Sequence, residues 1–220
     1  MNWEKFWNKT AKQSGDELAQ VQRNSPKSVK LTVDNIIKQL DVNSNDTILD
    51  VCCGNGLVTN HISKKCNSII GVDLSENLIN FAKEKFSNIP FHQSKAEEIA
   101  AVLENQQFDK IYLQFSFQYF DKPNQGEKVI NEMLKVLKPN GLLFIGDIPN
   151  HQKLWHYYNS FAKRFFYITS KIRGTNRMGK FWKKEELDSI CNILNVKGKF
   201  ITQDESLPYS HYRFDYLIQK

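Results

Sequence analysis

A glycine-rich turn in the first third of the chain carries residues that could hold a small ligand. Residues 48–61 read ILDVCCGNGLVTNH, an apolar run that ends in an acid and is followed by two cysteines and a Gly-x-Gly. Gly54 and Gly56 let the backbone approach a ligand closely, and a helix that begins near Leu57 would present free amides to a negative group. The turn therefore predicts a ligand site where a strand meets a helix.

An acid follows the next predicted strand. The stretch SIIGVD ends at Asp73, and a carboxylate in that place can accept hydrogen bonds from both hydroxyls of a ribose. A plain strand-to-helix turn, with Asp73 as a helix cap, fits the same residues. Thr59 stands where a nicotinamide-binding turn has its third glycine, so the pattern disfavours a pyrophosphate ligand.

Strand and helix patterns alternate along the first 150 residues. Strands are predicted at 47–51, 68–73, 89–94, 108–115 and 141–148, and helices at 57–65, 76–87, 96–104 and 125–137. This alternation predicts an α/β fold with a doubly wound, Rossmann-like sheet that is mostly parallel and has helices on both faces. The last two strand patterns, KGKFITQ and YRFDYLIQK, are close enough in sequence to form an antiparallel pair.

Composition and charge restrict the classes of function. At 220 residues and 40% hydrophobic composition, the chain predicts a single domain. It has no apolar run long enough to cross a membrane and no apolar leader, so a cytoplasmic protein is expected, with peripheral membrane contact left open. Cys52 and Cys53 are adjacent and no zinc-type spacing occurs, so neither a disulfide nor a metal site is expected.

The positive charge is localised. The formal net charge is +6, and residues 151–184 hold nine Lys or Arg and no Asp or Glu. Nine aromatic residues are interleaved with these bases. Such a segment could wall a site for an acceptor with a sugar or apolar part and a phosphate or carboxylate. The alternative is an amphipathic helix whose aromatics, Tyr158, Phe161 and Phe165 among them, lie in the core.

Four stretches resemble motifs of the class I S-adenosylmethionine-dependent methyltransferases. ILDVCCGNG is similar to their first motif, GVDLS to their ribose-binding acid, FDKIYLQFSFQYF to their fourth-strand motif, and MLKVLKPNGLLFIGD to their LKPGG turn and fifth strand. The first motif is most similar to the small-molecule branch that writes LDLCCGTG. The resemblance implies S-adenosylmethionine as cofactor, methyl transfer as the reaction, and compact, reduced side chains for the two cysteines of the turn.

The resemblance also implies a division of the single domain, 1–220, into four parts. These are an N-terminal lid and helix (1–40), a cofactor-binding core (41–148), a substrate-side insert (149–182) and a closing helix and strands (183–220). Trp3, Phe6 and Trp7 have the spacing of one helix face. Relatives close such a segment over the cofactor to exclude water, and ordinary packing of a terminal helix is the alternative.

Nine residues are assigned to the cofactor by the same resemblance. They are Asp50, Gly54 and Gly56 toward the methionine part, Asp73 toward the ribose, Leu74 toward the adenine, and Cys52, Ala96, Glu97 and Gln114 near the same strand ends. Lys95 stands where relatives place an acid for the adenine amino group, and lysine cannot accept that hydrogen bond. Glu97, a backbone carbonyl or a shift of register would then supply the acceptor.

Candidates for contact with the methyl acceptor lie at later strand ends and near the C-terminus. His211, Asp147 and Tyr209 are the candidates for catalysis, because a histidine with an ordinary pKa of about 6.5 suits proton removal from a hydroxyl. Contacts with the acceptor are predicted for Gln118, Tyr119, His151, Arg173 and Arg177. For Asp147 and His211, a structural role is the alternative to contact with the acceptor.

Three functions remain open from the sequence. The leading one is methyl transfer to a small molecule or to a sugar or glycan, which the basic segment would suit if the acceptor is anionic. A nucleic-acid methyltransferase is the second, but QFSF at the fourth strand lacks the Asn/Asp-Pro-Pro-aromatic stretch of enzymes that methylate exocyclic amines of bases. A nucleotide-binding oxidoreductase or a binding module on the same fold is the third. Nucleic acid is therefore disfavoured as a partner, and the oligomeric state is left open.

Overall fold

Seven strands form one sheet in the computed structural model, which describes residues 1–13, 17–20 and 25–220. The strands are β1 (Thr47–Val51), β2 (Ser68–Asp73), β3 (Phe91–Gln93), β4 (Phe108–Gln114), β5 (Leu137–Pro149), β6 (Lys197–Thr202) and β7 (Arg213–Gln219). Their order across the sheet is β3-β2-β1-β4-β5-β7-β6. The strands from β3 to β5 are parallel, and β7 runs antiparallel to both β5 and β6. The predicted fold class is confirmed.

The winding of the sheet reverses at β1. β2 and β3 lie on one side of this strand, and β4 and β5 lie on the other. Connections that leave neighbouring strands in opposite directions open a crevice beyond the carboxyl ends of β1 and β4. Residues 52–56, the glycine turn, directly follow β1 and so lie at this crevice.

Ten α-helices surround the sheet in the described part of the chain. They are α1 (Trp3–Gln13), α2 (Glu17–Gln20), α3 (Pro26–Leu40), α4 (Leu57–Ile62), α5 (Glu76–Lys85), α6 (Ile99–Val102), α7 (Gln125–Val136), α8 (Leu154–Tyr157), α9 (Phe161–Ile172) and α10 (Lys184–Ile193). The sequence predicted helices over α4, α5 and α7, and their apolar sides are buried.

Two apolar cores lie on opposite faces of the sheet. On one face Ile36 of α3 and Ile79 of α5 pack in one cluster with Ile48 of β1. On the other face Ile130 of α7 belongs to a cluster that includes Leu49, the next residue of β1. Successive side chains of a strand point to opposite faces, so a strand covered on both sides is apolar at every position. This is why the successive residues Ile48 and Leu49 of β1 are both apolar.

The segment between β5 and α10 builds a third, smaller cluster. Tyr158, Tyr167, Phe181 and Tyr212 are buried together beside α8 and α9. The Trp182 indole N–H donates to the Phe117 carbonyl over 3.2 Å and ties the end of the segment to the sheet. No helix among the described residues has the length and apolar character needed to cross a membrane.

Gly56→Ala is expected to lower the free energy of unfolding by about 2–4 kcal/mol. Gly56 has φ 77°, which costs an alanine about 1 kcal/mol, and the new Cβ would lie 2.7 Å from the Phe91 ring, an overpacking that costs about 1–3 kcal/mol more. Urea denaturation measures the difference.

Gly174→Ala is the matched control for this substitution. Gly174 has φ 65°, and an alanine Cβ at this position would have no described atom within 4 Å, so the substitution meets only the backbone cost of about 1 kcal/mol. Equal losses at both positions would contradict the packing role of Gly56.

Candidate active site

A cavity of about 1230 Å³ opens beyond the carboxyl ends of the parallel strands. Its walls include residues 50–55, 57 and 58 around the glycine turn, the end of β2, residues 94–98 after β3, residues 114–116 after β4, and the start of α1. Ligand pockets for single small molecules usually measure about 300–1000 Å³. The cavity is therefore large enough for a cofactor and a second, smaller molecule together.

Asp73 is held rigidly at the wall of this cavity. Its carboxylate accepts hydrogen bonds from the Gly54 N–H over 2.9 Å and from the Ser75 N–H over 2.8 Å. Gly54 can donate in this direction because its φ of 59° lies in the left-handed region. The glycine turn and the acid after β2, which the sequence singled out separately, thus form one structure.

Burial changes the acidity of Asp73. Loss of solvent raises the pKa of its carboxyl to about 6, against the opposing effect of the backbone N–H groups of Ser75 and Gly54. The group is ionised at neutral pH but begins to protonate only a little below it. A ligand that donates hydrogen bonds to Asp73 would favour the ionised form.

Asp50 lies at the floor of the same cavity. Its carboxylate accepts hydrogen bonds from the Thr59 hydroxyl and from the Tyr112 hydroxyl, each over 2.6 Å. Gly56, in contrast, is not one of the cavity-lining residues, and its α-carbon faces the Phe91 ring. The two glycines of the turn therefore differ, since Gly54 positions an acid and Gly56 allows close packing.

The residues after β3 present Ala96 and Glu97 to the cavity. The Glu97 carboxylate accepts a hydrogen bond from the Gln125 side-chain amide over 2.5 Å. Lys95, the residue that departs from the family pattern, pairs with Glu98 over 3.2 Å. Glu97 is therefore a carboxylate that could accept from a base amino group here, while Lys95 is engaged elsewhere.

Gln114 at the end of β4 has one polar atom unpaired. Its side-chain N–H donates to Asp147 over 2.6 Å, and its Oε1 is buried without a hydrogen-bond partner among the described residues. Buried polar atoms of this kind are costly unless a ligand or water satisfies them. Since Gln114 lines the cavity, its Oε1 is a candidate acceptor for a ligand N–H.

Asp147 lies behind Gln114, and the residues that line the cavity do not include it. It accepts from the side chains of Gln114 and Gln203, and its own N–H donates to Asp215 over 2.8 Å. Burial and the nearby Asp147 raise the pKa of Asp215 to about 6. The structure thus brings Asp147 into a buried network that orients Gln114, and not to the place of an acceptor.

Helix α1 forms an aromatic wall of the cavity. Trp3 and Trp7 both line it, and their rings lie 4.2 and 5.8 Å from the ring of Tyr119, measured between centroids. Asn8 fixes the helix, because its side-chain oxygen accepts from the Ser75 hydroxyl over 2.8 Å and from the Asn77 N–H over 3.2 Å. Sequence reasoning missed Asn8, and only its place beside the aromatic face could have signalled it.

Phe115 separates the cavity from a buried arginine. Its ring lines the cavity, and the Arg213 guanidinium lies 4.2 Å from the ring centroid. Tyr209 packs on Phe115 at 5.3 Å and so stands one residue away from the cavity. Gln118 is buried and donates to the Phe115 carbonyl over 2.8 Å, also outside the cavity lining.

Four predicted acceptor-side residues lie on the surface. They are His151, Arg173, Arg177 and His211, which are exposed and do not line the cavity. The His211 ring packs against Tyr212, and the Arg177 guanidinium lies 5.6 Å from the Phe6 ring centroid. No histidine lines the cavity within the described ranges, so the geometry lends no support to His211 as a base.

The cavity is negatively charged although the chain is basic. Its lining contains seven carboxylates and three lysines, a formal balance of −4, within a chain of net charge +6. Burial raises the pKa of Cys52 and Cys53 well above the usual value, with the charges of Asp73 and Asp50 acting in the same direction. These thiols are protonated at neutral pH, and the site favours a ligand that carries positive charge.

Comparisons with known proteins show that the chain is similar to methyltransferases. Residues 48–141 match a family model described as a methyltransferase domain. An uncharacterized methyltransferase of Schizosaccharomyces pombe is 28% identical over 112 residues, which cover 46% of this chain and 38% of that protein. A ubiquinone biosynthesis O-methyltransferase of Hydrogenovibrio crunogenus is 24% identical over 178 residues, which cover 79% of this chain and 70% of that protein.

A solved structure has the same fold as the described part of the chain. The N-methyltransferase NodS from Bradyrhizobium japonicum, in complex with S-adenosylhomocysteine, has a TM-score of 0.68 at 13% identity and covers 100% of this chain and 99% of its own. The chain spans well under half the length of the S. pombe relative. Residues 48–141 therefore match a methyltransferase domain, and the chain has the Rossmann-like fold of a methyltransferase whose solved structure holds S-adenosylhomocysteine.

Proposed function

We propose that this protein transfers the methyl group of S-adenosylmethionine to a small molecule that binds beside the aromatic wall of the cavity. The observation that carries the proposal is the negatively charged cavity at the reversal of the sheet, with a fixed carboxylate at one end and Trp3, Trp7, Phe115 and Tyr119 at the other. One end suits a cationic nucleoside cofactor, and the other suits a flat or apolar acceptor.

The residues at the first end fit S-adenosylmethionine. Asp73 would accept from the two ribose hydroxyls, Leu74 would contact the adenine, and Glu97 would accept from its amino group. Asp50 and the unpaired Oε1 of Gln114 would face the amino group of the methionine part. When bound, the cofactor supplies a methyl group on a sulfonium, which is electrophilic.

The other residues of the cavity orient the acceptor and exclude water. In-line methyl transfer depends mainly on alignment, which is worth several powers of ten in rate when both reactants are held in place. Trp3, Trp7 and Tyr119 cover the site, and the wall holds no histidine in the described ranges. An amine, a carbon nucleophile or an already acidic hydroxyl therefore suits the site better than a sugar hydroxyl that needs a strong base.

One relative supports a small acceptor. Its name describes an O-methyltransferase of ubiquinone biosynthesis. The exposed positions of Arg173 and Arg177 do not favour the anionic acceptor that the basic segment suggested for this cavity. A nucleic-acid substrate is also disfavoured, because α1 covers the site with a narrow aromatic wall.

Radiolabelled methyl transfer tests the proposal. The purified protein is incubated with methyl-labelled S-adenosylmethionine and either an ultrafiltered small-molecule extract or total RNA and DNA. We expect label in the small-molecule fraction only, and a protein with Asp73→Ala should give none. Label in the nucleic acid, or failure of the wild type to bind S-adenosylhomocysteine in calorimetry, would contradict the proposal.

The affinity for S-adenosylhomocysteine should depend on pH through Asp73. Because the pKa of the free group is about 6 and ribose hydroxyls bind the ionised form, affinity should be constant above about pH 7 and fall by up to about tenfold per pH unit below 6. Calorimetry at several pH values measures this. The Asp73→Asn protein should give a flat profile over the same range, and a similar fall in both proteins would assign the effect to another group.

A further inference from the structure

Helix α9 exposes an unusually large apolar surface. Phe161 is 86% exposed, Phe165 62%, Phe166 67% and Ile172 81%. Large apolar side chains scattered singly over a surface need no explanation, but contiguous ones mark a surface that binds something. Phe161, Phe165 and Ile172, together with the exposed Ile168, lie on one side of this helix of 12 residues and form a contiguous patch.

The patch faces away from the body of the protein. Phe161, Phe165, Ile168 and Ile172 follow each other at intervals of three or four residues and so form one stripe along the helix. Tyr167 and Ser170, which are buried, lie on the far side of the helix from this stripe. Tyr167 packs against Tyr158 with 4.6 Å between ring centroids. The helix is thus attached by its inner face, and the apolar stripe is its outer face.

Basic side chains accompany the stripe. Lys163, Arg164, Lys171 and Arg173 lie on α9 or at its end, within the segment 151–184 that has no acid. No salt bridge between described residues involves these four side chains; two other lysines of the segment, Lys180 and Lys184, do pair with acids. A surface that is both apolar and uniformly basic fits a partner that is apolar and acidic.

We propose that α9 docks the protein on the surface of an anionic lipid membrane, with the stripe in the boundary between headgroups and acyl chains. An amphipathic helix with bulky apolar residues on one face and Lys and Arg beside them has the character of an interfacial helix. Each basic residue near an anionic surface strengthens binding by about fivefold. An anionic membrane would both cover the apolar stripe of α9 and attract its basic side chains.

A second copy of the chain is a poorer occupant for the same face. Symmetric pairing of α9 with α9 would bury the two stripes but would also bring two basic, acid-free segments together. Like charges in contact oppose association, and nothing acidic in the segment offsets them. The charge pattern therefore selects lipid over self-association.

Vesicle flotation tests the proposal without any methyl transfer, so its result is independent of the proposed function. The full chain is mixed with vesicles of phosphatidylcholine alone or of phosphatidylcholine with phosphatidylglycerol. We expect binding to the anionic vesicles that weakens as salt is added, and little binding to the neutral ones. Absence of binding to anionic vesicles at low salt would overturn the proposal.

Two double variants separate the apolar and basic contributions. Phe165→Ser with Ile172→Ser should weaken vesicle binding by roughly tenfold or more, and Lys171→Glu with Arg173→Glu by a similar factor. Ile193→Ser, at a 63% exposed isoleucine on α10, is the control and should bind like the wild type. All these positions are exposed, so thermal unfolding should not change by more than a few degrees.

Light scattering excludes the alternative occupant. Without lipid, the wild type and the double variant Phe165→Ser with Ile172→Ser should have the same molar mass. A wild-type dimer that this double variant converts to a monomer would assign the stripe to a second copy and overturn the proposal, as would vesicle binding that neither double variant reduces.

Discussion

Asp73→Asn is expected to weaken the binding of S-adenosylhomocysteine by about 100-fold or more. The substitution keeps the shape of the side chain, but its single amide oxygen can replace only one of the two carboxylate oxygens that accept from Gly54 and Ser75, so thermal unfolding is measured beside the affinity. It removes the charge from the acceptor that the ribose hydroxyls would use, and a hydrogen bond to a charged group is worth about 1.5–3 kcal/mol. Two such bonds account for the expected loss, which calorimetry measures.

Asp109→Asn is the matched control for that experiment. Asp109 is at the opposite end of β4, where it accepts from Thr47 and pairs with Lys138 over 2.9 Å, and these partners lower its pKa to about 2. Its loss should reduce stability slightly and leave the affinity unchanged. If Asp73→Asn bound the ligand as well as Asp109→Asn does, the ribose would have to lie elsewhere, and the proposed arrangement of the cofactor would be wrong.

The local sequence pattern was sufficient to predict the strands that are buried on both faces of the sheet. β1 and β2 begin and end at the predicted residues, because each is an apolar run bounded by polar turns. β4 stops one residue before its predicted end, at Gln114, where the chain turns out of the strand with a φ of 63° at Phe115. β5 begins at Leu137, four residues before its predicted start, with a break in register opposite β4.

Long-range contacts explain what the sequence could not reveal about the site. Asp147 lies at a strand end, which indicated an acceptor contact, but its partners Gln114 and Asp215 are 33 and 68 residues away in the chain. The pairing of β4 with β5 brings Gln114 to Asp147, and the insertion of β7 beside β5 brings Asp215. The spacing of residues along one strand cannot show whether a buried acid faces a ligand or belongs to a hydrogen-bond network with another acid.

Helical periodicity in residues 151–184 predicted an apolar stripe, but it did not show whether the stripe faces the core or the solvent. The spacing of Phe161 and Phe165 equally fits a core-facing and a solvent-facing side. The structure buries Tyr158 and Tyr167 and leaves those two phenylalanines exposed, so the expectation of buried aromatics holds for one part of the segment and is wrong for another. Which side is covered depends on the neighbouring elements, which periodicity does not report.

Deletion of residues 1–13 is expected to weaken S-adenosylhomocysteine binding by roughly tenfold to 100-fold while the protein stays folded. The deletion removes Trp3 and Trp7 from the wall of the cavity, and loss of an aromatic cover over a ligand costs about 1.5–3 kcal/mol. None of the three apolar clusters includes a described residue of α1, so thermal unfolding should change little. The deletion stops short of α2, because Asn55 donates to the Glu17 carbonyl and to the Gln20 side chain.

Substitution of Asn8 distinguishes a closing lid from a fixed wall. Asn8 does not line the cavity, yet its oxygen accepts from Ser75 and Asn77 and holds α1 in place. Asn8→Ala should therefore weaken S-adenosylhomocysteine binding by about fivefold to tenfold, since each lost hydrogen bond is worth about 1 kcal/mol, and should expose α1 to limited proteolysis. Asn8→Asp keeps an acceptor oxygen next to the N-terminus of α5, where a negative charge is favourable, and should restore near-wild-type affinity. Equal affinity in the wild type and in Asn8→Ala, together with unfolding of the protein that lacks residues 1–13, would mean that α1 is a structural helix and not a lid.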